Sequence, residues 1–252
     1  MSRRPHGALL GECLKELRLP TVRAVYEELA TQARQESLSY EEFLLEVLER
    51  EREGRCQHRI QRALRASALP LEKTLATFDR KRLPRPVNTH LNVLLEGTFL
   101  DHCENVLAFG PPGCGKTHLL CALGQELIHR GRQVLFRSCD LLVQELLLAK
   151  KELALPKLFK SWRRYDALIL DDIGYVQHNR QEMEVLFNLL AYRYEGGSVL
   201  ISSNLPFSQW EQIFKDPMTT AAAIDRLVHH SVVLELNISS YRLQQSKKAQ
   251  GT

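Results

Sequence analysis

The sequence predicts a three-layer α/β domain with a parallel sheet, preceded by a small all-helical region. Beyond about residue 89, short apolar runs alternate with amphipathic stretches, and near-continuous aliphatic runs are typical of strands that are buried on both faces. Before residue 69, apolar residues recur at steps of three and four, which indicates helices. A glycine-rich turn also separates the first predicted strand from the helix that follows it, as in domains that bind phosphates.

The predicted strands are apolar runs bounded by turn signals. They cover residues 106–109, 134–136, 167–170, 199–201 and 232–236. The helices expected to cover the sheet lie at about 118–130, 139–152, 181–194 and 220–229. Pro70, Pro84 and Pro86 interrupt the preceding helical pattern. We therefore predict a helical domain over 1–69, a linker over 70–88 and the α/β domain over 89–252.

Composition places the chain among ordinary globular proteins. Hydrophobic residues make up 44% and charged residues 25%, which excludes a collagen-like, disordered or disulfide-rich chain. The six cysteines form no Cys-x-x-Cys pair, and neither they nor the histidines have zinc-ligand spacing, so we expect reduced thiols. No window approaches the ~18 apolar residues that a membrane span requires. We therefore expect no membrane partner and a cytoplasmic location.

Positive charge is concentrated in one segment of the chain. Residues 50–85 contain 11 basic and 4 acidic residues, whereas residues 1–49 contain 6 and 9. Ser39 and Glu42 form a capping-box pattern ahead of an apolar run, which predicts a helix that continues into this segment. Four guanidinium groups of that helix would lie within about 80° of one another at 100° per residue. They belong to Arg52, Arg55, Arg59 and Arg62. This face suits DNA phosphates, or it is a solvated helix surface.

The glycine-rich turn is an octet that can hold the phosphates of a nucleoside triphosphate. It follows a predicted strand and opens a predicted helix, which is the context in which a Gly-x-x-x-x-Gly-Lys-Thr pattern forms a site. Glycine lets backbone N–H groups approach phosphate oxygens, Lys116 supplies a cation to the outer phosphates, and Thr117 can ligate magnesium. With His118, the predicted nucleotide-binding residues are Gly110, Pro111, Pro112, Gly113, Cys114, Gly115, Lys116 and Thr117. An ordinary strand-to-helix turn is the alternative.

Two other predicted strands end in polar side chains that complete such a site. Asp171 and Asp172 follow the run 168–170, and the carboxyl ends of parallel strands are where ligands bind. Asp171 would help to hold Mg²⁺, and Asp172 would polarise the water that attacks the γ-phosphate. Because Asp172 is one methylene shorter than the more common glutamate, either the water lies closer or hydrolysis is slow. Asn204 is placed to reach between the phosphates and this water. A strand-end cap and a turn are the alternatives for these residues.

Several segments together resemble the IstB-type ATPases, which are helper proteins of bacterial insertion sequences. These segments are the octet at 110–117, the motifs at 170–175 and 225–227, the Ser-Ser-Asn-Leu run at 202–205 and Ser-Tyr-Arg at 240–242. The segment 69–79 also looks like the family's connection between its helical region and its ATPase core, so the likeness covers nearly the whole chain. The resemblance implies a P-loop NTPase fold of the AAA+ type and a relation to the DnaC-type loaders of the replicative helicase.

The resemblance also implies roles for three residues. Asn204 would act as the first sensor, Arg226 as an arginine finger and Arg242 as the second sensor. For the two arginines, a solvated position on the surface is the alternative. Arg226 would act in trans, on the nucleotide of a neighbouring subunit. ATP would then control the assembly of a homo-oligomer on DNA. Lys116, Asp172, Asn204 and Arg226 would form the catalytic set.

The leading expectation is a DNA-binding helper of transposition with DNA-stimulated ATPase activity. It would use ATP and Mg²⁺, assemble on duplex DNA and recruit or activate its cognate transposase. Lys150 and Lys151 would add to the DNA contacts of the four arginines. Two alternatives stay open. One is a loader of the replicative helicase, and the other is a DNA-architectural scaffold that binds ATP but hardly hydrolyses it.

Overall fold

A computed structural model of the protein describes residues 6–174, 179–194, 196–214 and 216–241. The chain forms two compact units, Met1–Arg62 and Ala63–Thr252. Residues 70–88 therefore lie within the second unit, and the domain boundaries drawn from the sequence stay predictions. Among the helices of the described ranges, none is both long and apolar enough to cross a membrane.

The first unit is helical, as predicted. Its helices are α1 (His6–Glu16), α2 (Pro20–Glu36) and α3 (Tyr40–Ser67), of which α3 continues into the second unit. The capping box at the start of α3 is confirmed. The Ser39 N–H donates to the Glu42 carboxylate at 2.8 Å, and the Glu42 N–H donates to Ser39 Oγ at 3.2 Å. Hydrogen bonds from Ser39 lower the pKa of Glu42.

Glu51 joins α3 to the beginning of α2. Its Oε2 accepts the N–H groups of Thr21 at 2.9 Å and Val22 at 3.1 Å, and its Oε1 accepts Arg55 Nε–H at 2.8 Å. Burial raises the pKa of Glu51, but the hydrogen bonds from Arg55 and from the two backbone groups outweigh burial, and the pKa is lowered. Gly54 lies against the Thr21 side chain, where a Cβ atom would clash. The two helices are thus held together by one buried carboxylate and one close approach.

A five-stranded parallel sheet forms the centre of the second unit. The strands are β1 (Asn105–Phe109), β2 (Val134–Ser138), β3 (Ala167–Ile173), β4 (Ser198–Ser203) and β5 (Ser231–Glu235). Their order is β2-β3-β4-β1-β5, and every neighbouring pair is parallel. All five predicted strands are confirmed. The central runs are almost fully buried, as expected for aliphatic strands that helices cover on both faces.

Helices cover this sheet. They are α4 (Arg85–Glu96), α5 (Lys116–His129), α6 (Cys139–Lys151), α7 (Leu155–Trp162), α8 (Arg180–Arg193), α9 (Glu211–Phe214) and α10 (Pro217–Val228). The four predicted helices correspond to α5, α6, α8 and α10. The helix α4 was not predicted, because Pro84 and Pro86 were interpreted as interruptions. Pro86 instead lies in the first turn of α4. Backbone N–H groups in that turn have no acceptor within the helix, so the missing N–H of proline costs no hydrogen bond.

Candidate functional site

The octet connects β1 to α5 at the carboxyl edge of the sheet. Gly113 and Gly115 have φ values of 78° and 100°, in the left-handed region that favours glycine. Gly115 immediately precedes α5. The first N–H groups of a helix have no acceptor within the helix, and its amino end carries a partial positive charge. The octet and the start of α5 therefore offer several hydrogen-bond donors to an anion.

Lys116 is the cation of this loop. It is 5% exposed, and its Nζ donates to the carbonyl oxygens of Gly110 at 2.8 Å and Pro111 at 3.1 Å. A lysine ammonium has three protons, and these two carbonyls accept two of them. Because a buried charge gains most from an opposite charge, phosphate is a fitting partner for the third.

The two aspartates of β3 point in different directions. Asp171 is buried, and its Oδ1 accepts Ser202 Oγ–H at 2.6 Å. Asp172 is exposed and has a φ of 59°, and the register of β3 against β4 shifts between Leu170 and Ile173. Ser202 Oγ also accepts the backbone N–H of Asp172 at 2.8 Å. At this irregularity the Asp171 carboxylate is held within the sheet by a hydrogen bond, whereas Asp172 is exposed. The two successive carboxylates can therefore have different roles.

Asn204 follows β4 directly. Its Oδ1 is buried and has no hydrogen-bond partner among the residues that the structure describes. A buried amide oxygen without a partner costs free energy, so such an atom indicates a missing ligand or water. The position agrees with the predicted contact to the phosphates or to the attacking water.

These groups border one cleft of about 420 Å³. Ligand sites in proteins commonly measure about 300–1,000 Å³, so a nucleotide is a suitable occupant. The lining comes from the octet, from β3 and the end of β4, and from two segments outside the sheet. The lining residues are Lys73, Thr77, Phe78, Asp79, Arg82, Pro112, Gly113, Cys114, Gly115, Lys116, Thr117, His118, Asp172, Asn204, Ile238 and Tyr241. Three residues predicted for the site, Gly110, Pro111 and Asp171, are not part of this lining. The carbonyl oxygens of Gly110 and Pro111 accept hydrogen bonds from Lys116. Asp171 accepts one from Ser202, which is also bonded to Asp172.

The predicted linker supplies one wall of the cleft. His118 Nε2 lies 3.1 Å from Thr77 Oγ1 and 3.0 Å from the Thr74 carbonyl oxygen, and its ring meets Phe78 edge-on. A Cβ atom on Gly115 would approach the Phe78 ring to 3.2 Å. His118 was predicted to belong to the site, whereas Thr77 and Phe78 were not. Their only signal was the likeness of segment 69–79 to a family connection.

A second wall comes from the end of the described chain. The Tyr241 N–H donates to the Gly113 carbonyl oxygen at 2.9 Å. Arg82 donates to the Ser239 carbonyl oxygen at 2.6 Å and stacks over the Tyr241 ring at 5.2 Å. Arg242, the predicted second sensor, lies outside the described residues.

Arg226 lies far from this cleft within its own chain. It borders a separate cavity of about 190 Å³ together with Asn105, Val199 and His230, which stand at the beginnings of β1, β4 and β5. Its guanidinium donates to the Ala222 carbonyl oxygen at 2.9 Å. The structure therefore places Arg226 at the amino edge of the sheet, opposite the octet.

The four predicted DNA-binding arginines of α3 are exposed. Three of them also have partners in the first unit. Arg55 donates to Glu51 and, at 2.7 Å, to the Arg18 carbonyl oxygen, and Arg52 lies 3.3 Å from Glu49. Arg59 donates to Cys56 Sγ at 3.8 Å, and sulfur is a weak, uncharged acceptor, so this bond leaves the charge of Arg59 available to phosphate.

The two predicted lysines of α6 differ in the same way. Lys150 forms an ion pair with Glu184 at 2.8 Å, whereas the Lys151 side chain is exposed. An ion pair reduces the charge that Lys150 offers to DNA.

Comparison with known proteins identifies the family. The family described as IstB-like ATP binding protein matches residues 12–249. The chain belongs to this family. A Sinorhizobium fredii relative, whose name assigns it to an insertion sequence and to ATP binding, is 40% identical over 243 residues, which cover 96% of this chain and 82% of the relative. A Pseudomonas aeruginosa relative named for insertion sequence IS21 is 38% identical over 236 residues, which cover 94% and 89%.

Solved structures confirm the AAA+ P-loop fold of this IstB-like protein. The DnaC helicase loader has a TM-score of 0.57 and 18% identity, with coverage of 67% of this chain and 97% of the loader. AMPPCP-bound DnaA from Aquifex aeolicus has a TM-score of 0.57 and 21% identity, with coverage of 73% and 56%. At these identities the likeness concerns the fold alone. The family itself is described as ATP-binding.

Proposed function

We propose that the protein is an ATPase that helps an insertion sequence to transpose. It would hydrolyse ATP in the cleft, assemble with further copies on duplex DNA, and recruit or activate the transposase of the same element. The observation that carries this proposal is the convergence of Lys116, Asp172 and Asn204 on one cleft of an IstB-like AAA+ fold. A cation, a carboxylate and an amide at one place suit phosphoryl transfer to water.

The donor set also fits Mg²⁺. Thr117, which carries a hydroxyl, lines the cleft, and Asp171 supplies a carboxylate near the end of β3. Ser202 fills one of the roughly four lone-pair positions of that carboxylate. Oxygen ligands of this kind are what magnesium prefers, and bound magnesium would neutralise phosphate charge. Thr117 and Asp171 are therefore the proposed metal-binding residues.

Asp172 and Asn204, which both line the cleft, are the proposed hydrolytic pair. The exposed Asp172 carboxylate would accept a proton from the attacking water, and the unpaired Asn204 Oδ1 would orient that water. The left-handed backbone of Asp172 is fixed by its N–H bond to Ser202. This hydrogen bond would hold the Asp172 carboxylate in the cleft, so that the longer side chain of a glutamate is not required.

The position of Arg226 supports assembly. Since it stands at the amino edge of its own sheet, it cannot contact the phosphates that its own octet binds. A neighbouring copy could present its octet to this edge, and Arg226 would then act as an arginine finger in trans. A complete ATP site would require two copies of the chain.

The exposed arginines of α3 support DNA binding. Guanidinium groups on one helix face can contact backbone phosphates without reading bases, which suits a protein that acts at many target sites. Arg59 and Arg62 are the foremost candidates, with Lys151 as a further one. Recruitment of a transposase follows from the family's place in insertion sequences rather than from any contact in the chain.

Lys116→Ala tests the proposal most directly. Loss of the buried ammonium should abolish Mg-ATP binding in calorimetry and ATP-dependent assembly on a random duplex in electron microscopy. Lys160→Ala, which removes an exposed lysine of α7, is the matched control and should behave as wild type. Assembly by Lys116→Ala at wild-type level would refute the nucleotide switch.

Turnover with and without duplex DNA distinguishes the alternatives. A transposition helper should hydrolyse ATP faster on DNA, whereas a static scaffold should show no such increase. A helicase loader should bind purified replicative helicase in a pull-down and should ignore the transposase. Binding to the helicase alone would replace the proposed function by the loader.

A further inference from the structure

The helix α3 exposes leucines and arginines on the same side. Leu44, Leu45 and Leu48 are 57%, 58% and 50% exposed. At 100° per residue these three side chains lie within about 100° of one another. Arg52 and Arg59 lie within about 40° of the direction of Leu48. One face of the helix therefore changes from apolar to cationic within a single turn.

The leucine patch, formed by Leu44, Leu45 and Leu48, is too concentrated for ordinary surface scatter. Single exposed leucines are common, but three within five positions form a contiguous apolar surface, and such surfaces mark interaction sites. Gly54, which lies against α2, points about 80° or more away from each of these leucines at 100° per residue. At least half of each leucine side chain is exposed and available to a partner.

Charge along α3 is segregated in the same way. Residues 40–49 contain four acidic residues and no lysine or arginine, whereas residues 54–67 contain four arginines and no acidic residue. The acidic residues are Glu41, Glu42, Glu46 and Glu49. The leucine patch thus lies in an acidic environment, next to a basic one.

This charge pattern selects the occupant of the patch. Pairing two copies through their leucine patches would bring the glutamates of both copies together, and like charges across an interface are unfavourable. A helix with basic flanks would instead bury the leucines and pair with the glutamates. We propose that the leucine patch binds a basic amphipathic helix of a second protein, and that this protein occupies the same DNA.

The arginines next to the leucine patch are the reason why we expect the partner to occupy the same DNA as this protein. This step rests on the proposed function, in which the arginines contact phosphates. Leu48 and Arg52 are about 6 Å apart along the helix axis, so a partner on the leucine patch would lie beside the duplex. Basic residues of the partner that do not meet glutamate would then reach phosphates themselves. The face of α3 would join the ATPase, the duplex and the partner at one place.

The test uses the full chain and the purified transposase encoded by the same element as the probe. Leu44→Ser, Leu45→Ser and Leu48→Ser are combined in a leucine variant, and Glu46→Lys is combined with Glu49→Lys in a charge variant. The matched control combines serine substitutions at three exposed leucines of the second unit. These are Leu141, Leu148 and Leu153, which are 64%, 58% and 90% exposed.

Both the leucine variant and the charge variant should bind the transposase about tenfold more weakly or worse in biolayer interferometry, while the control binds as wild type. Circular dichroism should show unchanged helix content, because the substituted side chains are exposed. Wild-type affinity in the leucine variant would overturn the proposal. A wild-type dimer that the leucine variant abolishes in sedimentation, with transposase binding unchanged, would assign the patch to a second copy and overturn it equally.

The same samples separate this proposal from the proposed function. DNA-stimulated ATP turnover by the wild type without any transposase binding would refute the docking surface and leave the ATPase standing. Conversely, leucine-dependent binding by a protein that neither hydrolyses ATP nor binds DNA would support the docking surface and refute the proposed function.

Discussion

The nucleotide cleft and the exposed face of α3 both gather charged side chains, but they hold them differently. In the cleft, Lys116 and Asp171 are buried and fixed by short hydrogen bonds. On α3, the guanidinium groups of Arg52, Arg59 and Arg62 are exposed to solvent. Water and salt screen exposed charges far more strongly than buried ones. One substitution in the cleft should therefore have a large effect, whereas substitutions on α3 should act in small steps that add.

Among substitutions that leave ATP binding intact, the largest effect on turnover should come from Arg226→Ala, which would act on the cleft of a neighbouring copy. If Arg226 completes a neighbour's site, its loss should slow turnover in the DNA-bound assembly by about 10³-fold, which is the usual magnitude for an arginine finger. Mg-ATP affinity of the free chain, measured by calorimetry, should stay unchanged because Arg226 is remote from its own cleft. Equal turnover in wild-type and variant assemblies would contradict the action in trans.

Asp172→Asn should come next. The amide keeps the size of the side chain but cannot accept a proton, so turnover should fall by about 10²-fold or more while ATP binding persists. Single-turnover hydrolysis and nucleotide titration measure the two quantities separately. Asp172→Glu is the conservative control and should retain hydrolysis. Full activity of the asparagine variant would remove Asp172 from the catalytic role.

Glu51 differs from the exposed arginines of α3, because it is buried and has hydrogen-bond partners on α2 and α3. Glu51→Gln should lower the free energy of unfolding by about 1–3 kcal/mol, since the charged acceptor of two backbone N–H groups and of Arg55 is lost. The pKa of Glu51 is lowered in the folded chain. The stabilisation is therefore complete above the unfolded pKa and disappears as the pH falls through the folded value.

Thermal melts of both proteins at pH 7 and at about pH 3–4 check this sign. The difference between Glu51→Gln and wild type should be largest at pH 7 and should shrink in acid. A difference that grows in acid would contradict the assigned hydrogen bonds.

The smallest effects should come from Arg59→Gln and Arg62→Gln. Each should weaken binding to all duplex sequences alike and reduce the slope of log affinity against log salt by about 1. Titrations of labelled duplex at several salt concentrations measure this slope, with Lys160→Gln as the exposed control. An unchanged slope would place the DNA contacts elsewhere and would leave the cleft predictions intact.

Sequence patterns predicted what depends on neighbours along the chain. The five strands, the position of the octet between a strand and a helix, and the capping box at Ser39 are local features, and all three were confirmed. The helix α4 was missed although Val87, Leu91 and Leu94 show its helical spacing, because the prolines dominated the interpretation. Such a proline begins a helix as readily as it ends one.

Contacts between segments that are distant in sequence could not be predicted from local patterns. Ser202 bonds to Asp171 only because β3 and β4 are neighbours in the sheet, and strand order cannot be read from strand composition. Likewise, Phe78 and Tyr241 line the cleft although they are remote in sequence. The sequence predicted which polar residues lie at the ends of the strands, but it did not predict the residues that form the walls of the cleft.

The hydroxyl of Ser202 donates to the Asp171 carboxylate and accepts the backbone N–H of Asp172, and so links β3 to the strand that leads to Asn204. Downstream of that strand, the chain continues through α9 into α10 and reaches Arg226. If Arg226 acts on a neighbour's nucleotide as proposed, a movement of Ser202 or Asn204 on loss of the terminal phosphate would reach that arginine along one continuous stretch of chain.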